Sequence, residues 1–157
     1  MSRSEFIHGV LNDLCWKMGL GDAWPDSAGR LTLNFDDTPV TFSSSDDPVE
    51  LVWIHADLGE IPADGAAAPT FLLRLAFDCW GYNRMTVGLD DTGRKAWGYT
   101  CVPAAQLSVE SLERALHGLL EVAIPVRERL ANGDFDLPEA DALKIDQADS
   151  GDGMLHI

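Results

Sequence analysis

Between Pro69 and Trp80 a run of large apolar side chains, Phe71, Leu72, Leu73, Leu75, Ala76, Phe77 and Cys79, is interrupted by only two charges, Arg74 and Asp78. Pro69 suits the first position of a helix, and Arg74 and Asp78, four residues apart, mark its one wet edge. A helix that is apolar nearly all round has to be covered on more than one side. The chain has 157 residues, enough for about one domain. A sheet can cover one side of such a helix, and the remaining apolar side asks for another surface. The segment therefore predicts both a helix packed on a sheet and a subunit partner.

The sheet is written on either side of it. From Ser4 to Met18, Phe6, Ile7, Val10, Leu11, Leu14, Cys15 and Met18 recur at helical spacing, and Gly19 and Gly21 end the pattern. Leu31, Leu33 and Phe35 then alternate with Thr32 and Asn34, and Val40 and Phe42 alternate with Thr41 and Ser43. The short polar step Asp36-Asp37-Thr38 between these strands predicts an antiparallel hairpin. From Val49 to Leu58 both faces are apolar, Val49, Leu51 and Trp53 on one and Val52, Ile54, Ala56 and Leu58 on the other, so cover on both sides is expected. A second hairpin places Met85, Val87 and Leu89 before the turn Asp90 to Gly93, and Trp97, Tyr99 and Cys101 after it. Ser108 can cap a long helix carrying Leu112, Leu116, Leu119, Ala123, Val126 and Leu130, with a kink predicted at Pro125 and a stop at Asn132-Gly133. The fold class is α+β, an antiparallel twisted sheet with element order α-β-β-β-α-β-β-α over residues 1–132. Residues 133–157 carry the remaining apolar residues without periodicity, among seven acids and one lysine, and read as a disordered acidic tail.

Charge excludes some partners. Twenty-six Asp and Glu against 11 Lys and Arg give a formal net charge of −15, which opposes binding to nucleic acid and to anionic membranes. No apolar stretch reaches the roughly 18 to 20 residues that span a bilayer, and the first residues lack a secretory pattern. A cytoplasmic protein with its three cysteines reduced is expected. Cofactor and metal motifs are absent: the four histidines stand singly, and His55 is read as structural. Asp91-Thr92-Gly93 matches the short signature of dimeric aspartic proteases, but Arg94-Lys95 follows directly, and the composition is that of an ordinary turn. The pairs Asp36-Asp37 and Asp46-Asp47 are read as solvated turns, and Asp146 to Asp152 lacks the ligand pattern of a calcium loop.

Several blocks taken together resemble the class I type III secretion chaperones, the Tir-chaperone-like family. They are the first helix ending Lys17-Met18-Gly19-Leu20, the stretch Val52-Trp53-Ile54-His55-Ala56-Asp57-Leu58-Gly59-Glu60-Ile61-Pro62, the core Phe71 to Phe77, and Gly88-Leu89-Asp90-Asp91-Thr92-Gly93-Arg94 followed by a strand and a Leu-rich helix. The resemblance covers about residues 4 to 131 and lies in the order and spacing of the blocks. It implies a homodimeric, ATP-independent bacterial chaperone in the cytoplasm that holds the N-terminal region of a secreted effector in extended form, with docking to the secretion ATPase as a further implied contact. It implies no catalysis and no cofactor.

Two residue sets are expected to carry these contacts. Effector binding is assigned to Val10, Leu11, Leu14, Leu33, Phe35, Val40, Phe42, Val52 and Ile54, although alternation alone leaves groove and core unresolved for each. The dimer interface is assigned to Leu72, Leu75, Ala76, Cys79, Met85 and Val87. A non-secretory adaptor or regulator of the same fold, and more remotely a protease using Asp91, stay open as alternatives.

Overall fold

The computed structural model describes residues 3–45, 50–83 and 85–136. The pair Asp46-Asp47, Val49 and the tail beyond Asp136, including Asp146 to Asp152, lie outside the described residues. Eight principal elements follow in the expected order: α1 (Arg3–Lys17), β1 (Leu31–Phe35), β2 (Thr38–Ser45), β3 (Leu51–Glu60), α2 (Ala68–Asn83), β4 (Thr86–Leu89), β5 (Lys95–Pro103) and α3 (Val109–Ala131). The five strands form one antiparallel sheet in the order β1-β2-β3-β5-β4, so β1 and β4 are its edges.

Local chemistry sets the element ends. Asp36 and Asp37 both adopt positive φ, 46° and 61°, and Phe35 pairs with Thr38, as a two-residue primed turn requires. Short Asp side chains tolerate that region better than bulkier ones. At the end of α1, Gly19 with φ of 74° lets its own N–H reach the Trp16 carbonyl and the Leu20 N–H reach that of Cys15. Gly133 closes α3 the same way, with Gly133 bonded to Leu130 and Asp134 to Arg129. Ser108 and Ser111 begin α3 by capping each other's backbone N–H, at 3.1 and 2.8 Å. The helix runs unbroken through Pro125. Pro125 is exposed, so the Glu121 carbonyl it leaves unbonded faces the solvent side of the helix.

One core joins the elements. The inward row of β3, Val52, Ile54, Ala56 and Leu58, is fully buried and meets α3 through Leu112, Leu116, Leu119 and Ala123. A Cβ on Gly98 of β5 would stand 3.2 Å from Leu119 Cδ1, so the missing side chain sets how closely α3 can lie on the sheet. Phe135 continues the packing past the end of α3. Its ring centroid is 6.2 Å from that of Phe71, whose other neighbour is the Arg129 guanidinium at 4.7 Å.

Candidate functional site

The expected effector-contact residues divide sharply by exposure. Val10, Leu11, Leu14, Val40, Phe42, Val52 and Ile54 are all buried in the protomer's own core, while Leu33 and Phe35 on the edge strand β1 are half-buried against it. The helices and sheet thus enclose seven of the nine, leaving the two on β1 within reach of a ligand. Beyond them, the edge of β1 that does not pair with β2 has no neighbouring strand in the sheet. An edge with unpaired backbone groups is a template for one more strand.

A second surface lies on the outward face of the sheet. In β3, Trp53, His55 and Asp57 alternate with the buried row and are half-exposed, so the two apolar faces expected of this strand are in fact one buried face and one amphipathic face. The aromatic groups shield one another. His55 stands edge-on between Trp53 and Tyr99, with centroids at 6.2 and 5.3 Å, and burial pushes its pKa down. Desolvation also raises the Tyr99 phenol, with the Asp90 charge adding to it. Lys95 reaches back to Asp57 at 2.8 Å and lies 4.7 Å over the Trp97 ring. Asp57 is the hub of this corner: its Oδ1 accepts from the Gly59 N–H at the β-bulge, and its carbonyl accepts from Arg127 Nη1 of α3 at 2.9 Å.

The expected dimer residues also separate. Leu72, Cys79, Met85 and Val87 are buried within the protomer, and Leu75 and Ala76 are half-buried. The open face of α2 instead carries Leu73 and Phe77, 75% and 85% exposed, beside Arg74 and Asp78. Their i,i+4 spacing puts both on one stripe, and that stripe could have been found from the sequence by stepping from the Arg74–Asp78 edge to its immediate neighbours. A third exposed apolar group lies where α1 ends: Trp16, Leu20 and Trp24. The loop after α1 is tied back by Trp16 Nε1 donating to Asp22 and by the Ala23 N–H donating to Asn12 Oδ1. No periodic signal marks these residues, because Leu20 and Trp24 lie outside any helix or strand.

Catalytic geometry is sparse. Asp91 is exposed at the tip of the β4–β5 turn, while its neighbour Asp90 binds the turn's own backbone. Among the described residues no group of three or more His, Cys, Asp and Glu could hold a metal ion. Cys15 and Cys79 are buried, and burial pushes both thiols up, with the Asp78 charge adding to it at Cys79. Among the described residues no helix is long and apolar enough to cross a membrane.

Comparison with known proteins follows this geometry. The sequence pattern of the Tir chaperone protein (CesT) family matches residues 9–127. No curated protein matches the chain in sequence. Among solved structures, the ExsC–ExsE complex contains a chain 22% identical at a TM-score of 0.67, covering 83% of this chain and 97% of that one. The HopA1–SchA chaperone–effector complex gives 23% identity and a TM-score of 0.66, over 82% of this chain and 98% of the other. The Yersinia pestis type III secretion chaperone SycH, in complex with a stable fragment of YscM2, gives 13% identity and a TM-score of 0.57, over 76% and 98%. At these identities the likeness is one of fold.

Proposed function

The chain belongs to the Tir chaperone protein (CesT) family, and from that premise we propose that it is a type III secretion chaperone, acting in the bacterial cytoplasm as a homodimer. It binds the N-terminal segment of a secreted effector in extended form and keeps it competent for export, with no cofactor and no catalytic step. The observation that carries this function is the family match over residues 9–127. The fold shared with two chaperone–partner complexes, one of them a chaperone–effector pair, supports it.

The physical parts suit the task. An extended segment can pair its backbone with the free edge of β1 while alternate side chains meet Leu33, Phe35 and the exposed apolar groups near the end of α1. Ordering the segment offsets much of the contact energy, which keeps release feasible. Leu73 and Phe77 supply an apolar stripe for the second subunit, and the half-buried Leu75 and Ala76 flank it. The acidity of the chain keeps such surfaces soluble and attracts a basic client segment.

Affinity capture of the protein from its native host, with sizing of the complex and mass spectrometry of its contents, tests the function. Two copies holding one longer secreted protein by its N-terminal region are expected. A dimer that brings down only cytoplasmic regulators would replace this function with that of an adaptor of the same fold, and a clean monomer would remove the dimer. The same capture reads whether the secretion ATPase accompanies the complex.

A further inference from the structure

A cleft of about 270 Å³ opens between the β1–β2 turn and the last turns of α3, walled by Asp36, Thr38, Ile124, Arg127, Glu128 and Ala131. It falls below the roughly 300 Å³ at which pockets for small organic ligands begin. Thr38 is wholly buried, and its hydroxyl has no hydrogen-bond partner among the described residues. Buried hydroxyls are almost always paired, so one left unpaired in a cleft wall marks a place where a ligand atom completes the bonding. The charges of the walls define the ligand. Arg127 is already engaged, donating to the Asp57 carbonyl at 2.9 Å and standing 3.7 Å from its carboxylate. Asp36 and Glu128 are exposed, and neither carboxylate has an ion-pair partner among the described residues. Ile124 and Ala131 add an apolar wall. A cation on a long aliphatic stem satisfies all of these features, because its stem covers apolar surface while its head donates to oxygen.

We infer that this cleft takes one basic side chain, a guanidinium or an ammonium, from the client segment. Asp36 and Glu128 would offset its charge, and the Thr38 hydroxyl would accept one of its hydrogen bonds. The inference rests on the chaperone function for its source of ligand. Asp36 directly follows the last residue of edge strand β1, so a segment paired along that edge ends at the mouth of the cleft, and the basic residue fixes its register.

The test needs no client. The full chain is titrated with N-acetyl-arginine amide, with N-acetyl-lysine amide and with the uncharged N-acetyl-citrulline amide, while the Thr38 and Ile124 methyl resonances are followed by NMR. Saturable shifts at millimolar arginine or lysine amide are expected. They should weaken about tenfold for citrulline and for the D36N/E128Q double variant, as charge-assisted bonds are lost. Asn keeps the left-handed turn at position 36. Thr38→Val should weaken binding severalfold without lowering the melting temperature, which a merely structural hydroxyl would not do. Equal shifts with citrulline, no saturable shift with either cation, or saturation by inorganic phosphate instead would each overturn the inference. Any of these would leave the captured client in place, whereas capture of no secreted client would remove the chaperone function itself.

Discussion

Neighbouring carboxylates in the β4–β5 turn do different work. Asp90 accepts from the Lys95 and Arg94 backbone N–H groups at 3.1 and 3.0 Å and from Thr92 Oγ1 at 2.9 Å. These donors, the Lys95 amide foremost, hold its carboxyl below the usual range. A depressed carboxyl stabilises the fold above its unfolded pKa near 3.9 and loses that contribution as pH falls through the folded value. Asp90→Ala should therefore lower the melting temperature at neutral pH, with the gap to the parent closing in strong acid. Asp91→Asn should leave the melt unchanged; a loss of any measured hydrolytic activity in that variant would restore the protease alternative. His55 behaves in the same sense for a different reason. Burial favours its neutral ring, so its contribution is complete above about pH 6.5 and declines as pH falls below that toward the folded pKa. Denaturation midpoints of His55→Gln measured across this window should vary less with pH than those of the parent.

Among elements, the strands and helices were legible because each has one buried face with a clean period. Val52, Ile54, Ala56 and Leu58 alternate by two, and Leu112, Leu116, Leu119, Ala123, Val126 and Leu130 step by four and three, and every one of them is buried. The candidate site was less legible for the same reason. Periodicity reports which side chains leave water, not whether the cover is the chain itself or a ligand, so Val40, Phe42 and Ile54 read alike as groove or core until α3 is seen lying over them. In α2 the ambiguity runs the other way: a helix apolar all round hides its open stripe, and Leu73 and Phe77 stand out only once Phe71 and Leu72 are seen buried. Substitution separates the two kinds of residue. Leu119→Ala should cost about 2–5 kcal/mol by denaturant melt, since the cavity would sit between α3 and β5. Replacing Leu73 and Phe77 together by Asp should leave circular dichroism and urea midpoint nearly unchanged while sedimentation shifts from dimer to monomer.

For the whole molecule, the charge of −15 acts on every association at once. Two copies of so acidic a chain repel, whereas a basic client segment is attracted, and salt screens both effects over about 8 Å at physiological ionic strength. Raising salt should therefore tighten self-association while slowing and weakening client capture, each severalfold; parallel changes in the two would show that apolar contact alone governs both. The order of elements along the chain has a consequence for biosynthesis. The inner face of β3 and β5 is covered by α3, and α3 is the last helix to leave the ribosome. A nascent chain that has emerged only as far as Pro103 holds both hairpins with Val52, Ile54 and Leu58 still in water. The newborn chaperone is itself a client in need of shelter until residues 109–131 have been made.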